Sequence, residues 1–334
     1  MKKTFLFLIL LFFITIILII LSCEYFTLLS QKEWAEKSGR EDNVIIYVGG
    51  YYTPGAYQVA CYWKIIDDNI ELIELESDNS TESRSIYAVE NTVYSCGVAN
   101  NQACYWVNSK RYNLESIGNS VAYSIYIKSG IVFTVGDDAG NACYWMDHNK
   151  SNLDIRTANQ IILNQEGSGK HVTYIGGQDA SNDACVWKDG TTIKLPGTTS
   201  AKVNSIYLIA ATVYSCGYVN GGVSAAFWKN NNLTVLAGHG INSANSVFVS
   251  DSDVYIAGQD TNTACYWKNN IFFDLPSSGT SIGQDIFVYN DNVYISGRNS
   301  GNFACIWING KLIELETASN SYAYSIFVVP NHEK

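Results

Sequence analysis

Thiols, imidazoles and grouped carboxylates are the side chains here that could carry chemistry. The chain has nine Cys and four His. Six cysteines (Cys61, Cys104, Cys143, Cys185, Cys265 and Cys305) fill one slot of a recurring phrase, Ala-Cys-x-Trp. The seventh copy reads Ala225-Ala226-Phe227-Trp228, so the slot asks for a small apolar group rather than a thiolate. Cys96 and Cys216 share another slot, just before a glycine. Equivalent positions of neighbouring repeats lie too far apart for a disulfide, which needs Cα atoms roughly 4.4–6.8 Å apart. One pair is an exception. If Val98 to Gln102 forms a five-residue loop, Cys96 and Cys104 face each other across a hairpin, and a disulfide between them stays open. Cys216 then faces Ala226. His148, His171, His239 and His332 share no motif, and no Cys/His spacing suits zinc. There is no Ser-His-Asp signature, nucleophile elbow or glycine-rich phosphate loop. Acidic residues follow a glycine at Asp137-Asp138, Asp179 and Asp260. Oxygen-rich loops can hold calcium. Asp also closes turns through its own side chain, and no calcium-loop consensus follows. Turn-making is therefore expected, with no metal and no cofactor.

The elements that must position these residues come from the repeat. From Trp63 the tryptophans of the phrase recur at Trp106, Trp145, Trp187, Trp228, Trp267 and Trp307, a period of about 40 residues. Two further phrases keep step with it. One is Ser-Ile-aromatic, as in Ser85-Ile86-Tyr87 and Ser325-Ile326-Phe327, with variants beginning Gln160 and Asp285. The other is Val-aromatic-x-x-Gly, as in Val132 to Gly136 and Val254 to Gly258. A looser run follows each Trp, for example Leu312-Ile313-Glu314-Leu315. All are β-branched or aromatic and bounded by Gly, Asn, Asp or Ser, which is strand chemistry. Asp189-Gly190, Asn309-Gly310 and Asn269-Asn270 suit two-residue hairpin turns, which need positive φ. The unit is a four-stranded antiparallel meander. Its Trp strand is apolar on consecutive residues, which requires cover on both faces. The expected fold is all-β, a seven-bladed β-propeller over residues 43–334. The chain enters on a second strand, Val44 to Gly50, and leaves on a first strand, Ser325 to Val329. Those two must pair to close the ring and remove two sheet edges.

The phrases Val254-Tyr255-Ile256-Ala257-Gly258 and Tyr266-Trp267-Lys268-Asn269 resemble the "YWKNG" repeats of bacterial surface proteins and, more loosely, the HAF family of extracellular repeats. Ile46-Tyr47-Val48-Gly49-Gly50 has a kelch-like character. The resemblance covers residues 43–330; it implies an exported propeller and no activity. The N-terminus is consistent with export. Lys2 and Lys3 precede an apolar run to Ser22, and Ile20-Leu21-Ser22-Cys23 resembles a lipobox. Residues 1–22 are expected to be a signal peptide with Cys23 acylated, or an uncleaved anchor of about 20 residues, with 23–42 a tether. The net charge is −10, and −12 once Lys2 and Lys3 are removed with the first 22 residues. That acidity argues against nucleic acid and anionic lipid as partners. Membrane contact is expected only through the N-terminal lipid or helix, and the chain is expected to be a monomer.

In a four-stranded blade the second-to-third and fourth-to-first connections emerge on one face, and tight turns on the other. Varied loops on a rigid scaffold are where binding resides. Tyr51, Tyr52, Tyr57, Tyr218 and Arg298 are the candidate contacts there, with Asp137, Asp138, Asp179 and Asp260 on the same loops. The expectation is a non-enzymatic module for a protein or glycan ligand. Two alternatives stand beside it. One is an exported glycan hydrolase or lyase with Asp137 and Asp138 at the central opening; the other is a structural envelope protein.

Overall fold

The computed structural model of the chain describes residues 43–67, 69–165, 171–197, 200–315 and 319–331. The signal segment, Cys23, the tether and His332 lie outside the described residues. Twenty-eight strands, from β1 (Val44–Tyr52) to β28 (Ser321–Pro330), form seven four-stranded antiparallel sheets. They stand as the blades of a seven-bladed β-propeller. The innermost strands of blades 1 to 7 are β4 (Thr81–Val89), β8 (Ser120–Lys128), β12 (Thr157–Gln165), β16 (Lys202–Ile209), β20 (Asn242–Ser250), β24 (Ile282–Tyr289) and β28. Blade 7 is split: β28 pairs with β1, placing Ile326 opposite Val48 and Val328 opposite Ile46. The ring is closed by the pairing that the phrase arithmetic demands.

The core is a series of layers between blades. One layer packs Cys96 and Tyr105 of blade 1 against Ile125, Cys143 and Trp145 of blade 2. Six phrase tryptophans are 0% exposed and Trp187 is 9%, so both faces of these strands are covered. Five of the indoles also hold loops. Trp106, Trp145, Trp228, Trp267 and Trp307 donate Nε1–H to the carbonyls of Glu76, Glu115, Pro196, Ala237 and Pro276, at 2.7–3.0 Å. Each carbonyl belongs to the loop that leaves the preceding blade, so one side chain packs and clasps at once.

The glycine of the second phrase has a steric cause. Every innermost strand slips register by one residue, at Arg84, Tyr123, Asn159, Asn204, Asn245, Gln284 and Tyr324. Each slip is a β-bulge. It drives the carbonyl two residues upstream against the facing glycine. A Cβ on Gly136 would sit 1.9 Å from the Val121 oxygen, and one on Gly97 1.9 Å from the Glu82 oxygen. Only glycine fits beneath the bulge.

Register also corrects the cysteine expectations. Strands run on to Ala99 and from Gln102, so Asn100-Asn101 is a two-residue turn, both at positive φ, and not a five-residue loop. Cys96 lies opposite Tyr105 and Gly97 opposite Cys104. The offset of one residue places the two thiols on opposite faces of the sheet, in different core layers. No disulfide joins them; both are free and buried. By the same offset Cys216 faces Phe227, not Ala226. Burial pushes the thiols up, Cys143 and Cys185 to about 12.

The two faces differ in their connections. Residues 53–58, 179–183, 220–223 and 299–303 form longer second-to-third loops, and all the fourth-to-first loops are on that face too. Ala139-Gly140 and Thr261-Asn262, like Asn100-Asn101, are shorter than expected for this face. The opposite face carries two-residue turns such as Asp189-Gly190, Asn269-Asn270 and Asn309-Gly310, with positive φ at both positions.

Candidate functional site

The bulge residue of each inner strand is excused from pairing, and its side chain turns into the central channel. The seven bulge residues surround a cavity of about 560 Å³ at the loop-rich end, joined on its wall by Asp137, Arg156, Thr157 and Lys202. The scaffold around the cavity repeats seven times; the bulge residues that face into it vary, as three Asn, two Tyr, one Arg and one Gln.

One half of the mouth is a built wall. Arg298 lies 5.1 Å from the Tyr322 ring, Tyr322 stacks on Tyr324 at 4.4 Å, and Arg84 caps Tyr324 at 4.7 Å. Tyr51 closes against Tyr324 at 5.9 Å. The Arg84 guanidinium is also paired with Glu82 at 2.5 Å. Cation–π contacts of this kind contribute about 0.5–2 kcal/mol each. Tyr123 donates its hydroxyl to Asp137 at 2.7 Å; burial first, then this bond, push the phenol up.

The other half, on blades 3 to 5, is open. Asn159, Asn204 and Asn245 donate Nδ2 to the carbonyls of Val203, Ala244 and Gly283, at 2.6–2.9 Å, each on the next blade. Arg156 and Lys202 stand beside them. Burial pushes the Lys202 ammonium down, and among the described residues neither cation has a carboxylate partner.

Below the mouth the channel is latched. Ser85, Ser124, Gln160, Ser205 and Ser325 each accept a backbone N–H from the following blade, at Ile125, Ile161, Ile206, Val247 and Ile86. Asp285 takes this place in blade 6. It accepts the Ser246 hydroxyl at 2.6 Å and the Ile326 amide at 2.9 Å. Burial pushes its carboxyl up despite those bonds. At the turn-rich end the channel narrows to an aromatic collar, with Tyr87, Tyr126, Tyr207, Phe248, Phe287 and Phe327 in ring contacts of 4.7–5.4 Å.

The residues singled out in the sequence divide accordingly. Asp137 lines the mouth; Tyr51 and Arg298 pack on Tyr324 and Tyr322 beside it and do not line the cavity. Tyr218 is the register partner of Lys202. Tyr57 is 60% exposed on the outer loop. Tyr52 donates to Glu74 and packs on the blade 7 core. Asp138 does not join Asp137 at the opening, because successive strand residues face opposite ways. It is buried, bonded to Lys150 Nζ at 2.5 Å and to the amides of Ile117 and Gly118. Burial raises its pKa, the bonds outweigh that, and the net shift is downward. Asp260 holds the amides of His239 and Gly240 in the same way, and Asp179 those of Ser181 and Asp183. These three carboxylates close loops. Among the described residues no group of three His, Cys, Asp or Glu is placed to hold a metal ion.

The bulge residues, Lys202 and Asp285 were not singled out from the sequence. Their signal was present: the residue before each Ser-Ile phrase is large and polar yet varies among Arg, Tyr, Asn and Gln, and Asp285 replaces the usual Ser.

No family model matches this chain, and no curated protein does. Among solved structures it is similar to a candidate 6-phosphogluconolactonase from Bacteroides fragilis, at 11% identity and TM-score 0.55, over 86% of this chain and 98% of that one. A candidate 6-phosphogluconolactonase from Bacteroides uniformis gives 10% identity and TM-score 0.53, over 86% and 100%. The Dos1 propeller gives 13% identity and TM-score 0.54, over 86% and 88%. At these identities the likeness is one of fold.

Proposed function

We propose that this propeller is an exported, membrane-anchored binding module whose ligand is a glycan seated in the loop-rich mouth. The observation that carries the reading is the contrast between an almost uniform scaffold and seven non-uniform bulge residues around one concavity. About 560 Å³ is the size of a small-ligand cleft rather than of a flat protein-docking surface. Amide oxygens, a carboxylate and phenols on the wall suit the hydroxyls of a sugar. Export and anchoring rest on the apolar N-terminal run and Cys23. Glycan-array binding of the full chain tests the mouth, with Asn204→Trp as the blocked variant. Binding that survives Asn204→Trp sinks this reading. Radiolabelled palmitate incorporation lost in Cys23→Ala tests the anchor.

The enzyme reading retains one supporting observation, Asp137 on the cavity wall. The facing pair of carboxylates that it invoked is not formed, since Asp138 serves a loop. Two fold neighbours carry a lactonase description, which at 10–11% identity bears on architecture only.

A further inference from the structure

The open half of the mouth holds more positive charge than its surroundings account for. The protein carries −10 overall, yet the cavity wall has three cations, Arg84, Arg156 and Lys202, against one carboxylate, Asp137. Two of these four are already engaged: Arg84 with Glu82 and Asp137 with the Tyr123 hydroxyl. Arg156 and Lys202 remain, on adjacent blades and on one side of the opening. Lys202 is the more telling. Lys202 is half-buried; an ammonium partly withdrawn from water without a counter-charge is costly, and proteins relieve that cost by pairing it. Among the described residues nothing pairs it. The lysine is held in place by its strand, opposite Tyr218 in register.

We infer that the mouth takes an acidic saccharide, with a sugar carboxylate lodged between Lys202 and Arg156. This rests on the glycan reading above and specifies its chemical class. The neighbouring groups fit the remainder of such a ligand. Asn159 and Asn204 each give one Nδ2–H to an interblade carbonyl, which fixes the amide and leaves its oxygen as an acceptor on the cavity wall. Asp137 is a further acceptor. A sugar ring presents hydroxyl donors, and a uronate adds one planar anion. The wall of stacked rings and guanidiniums opposite is filled on both faces of Tyr324, by Arg84 and Tyr322. It therefore acts as a fixed boundary, and the ligand lies on the blade 3 to 5 side. A simple acidic peptide would supply the charge but few hydroxyls for three acceptors.

The test is titration calorimetry of the full chain in detergent with trigalacturonate, its methyl ester, a neutral trisaccharide, glucose 6-phosphate and a tri-glutamate peptide. Trigalacturonate is expected to bind at least tenfold more tightly than its methyl ester and than the other probes, and to weaken with added salt. Lys202→Met keeps the stem and removes the charge; Arg156→Gln removes the second cation. Each is expected to weaken binding about tenfold or more, the scale of a charge-assisted hydrogen bond, with the thermal unfolding midpoint not lowered. Equal affinity for the ester, or unaltered affinity in the double variant, overturns the inference. So does preference for the peptide or the phosphosugar. If the neutral trisaccharide binds at the mouth and is blocked by Asn204→Trp, the glycan reading stands while the acidic one falls. If no saccharide binds, both fall together.

Discussion

Replacing Trp145 with Phe isolates the clasp between blades. The indole is 0% exposed and donates to the Glu115 carbonyl at 2.7 Å. Glu115 lies in the loop that carries the chain from blade 1 to blade 2. Phenylalanine keeps an aromatic ring in the layer with Cys96, Tyr105 and Ile125. It removes the donor and roughly 40 Å³ of side chain, which at about 24 cal/mol per Å³ costs about 1 kcal/mol if the site does not collapse. The carbonyl left without its partner costs about 1–2 kcal/mol more. The expected loss is about 2–3 kcal/mol, a large part of a stability that is commonly about 5–15 kcal/mol. Urea unfolding followed by circular dichroism should show a lower midpoint with an unchanged slope. Amide exchange should quicken in residues 115–119 before it does in the strands. A loss below about 0.5 kcal/mol, or exchange unaltered in that loop, refutes the clasp and leaves the tryptophan as packing alone.

Four other outcomes follow from the same geometry. Gly136→Ala forces a Cβ against the Val121 oxygen and should cost more than about 2 kcal/mol in urea unfolding, while Gly140→Ala, at an open turn, should cost less. The eight described cysteines are all buried and should be silent to a thiol reagent at pH 8 and all react in denaturant; a fast native thiol in residues 43–334 contradicts their burial. Asp138 has a lowered folded pKa, so its stabilisation is present above about pH 3.9 and fades as pH falls through the folded value. Asp138→Asn should lower the urea midpoint at pH 7 and flatten its acid-side decline. Asp285 runs the other way. Its raised folded pKa gives a contribution that is full below about pH 3.9 and is lost as pH rises through the folded value. Asp285→Ser, the residue used in other blades, should remove that slope from the urea midpoint between pH 4 and 8 while keeping an acceptor for the Ile326 amide.

The architecture was legible because each phrase states its environment. Consecutive apolar residues around each Trp announce a sheet covered on both faces, and the Asn-Asn and Asp-Gly pairs announce its turns. The split blade follows from the order of phrases alone. The mouth was legible only in part. Tyr51, Asp137 and Arg298 were reached through loop position; of these Asp137 lines the cavity, while Tyr51 and Arg298 contact the stacked tyrosines beside it. The bulge that aims Arg84, Tyr123 and Asn204 inward leaves no mark in a two-residue period. It depends on a carbonyl settling over a glycine in the neighbouring strand, a tertiary event. Asp137 and Asp138 read as a pair in sequence, and strand alternation sends one to the mouth and the other to Lys150. The Cys96–Cys104 alternative failed for a related reason. A hairpin shorter by three residues than expected shifts the register, and one residue of offset changes the face.

The bulge also frees each blade from an obligation that tandem repeats normally impose. Neighbouring positions must match from copy to copy, since each serves the same packing layer. The slipped residue has no cross-strand mate and enters no such layer. Arginine, tyrosine, asparagine and glutamine all occupy it without altering the framework around them. The opening is in effect a seven-letter word written on a constant page, and specificity can drift, or be rewritten by design, one letter at a time.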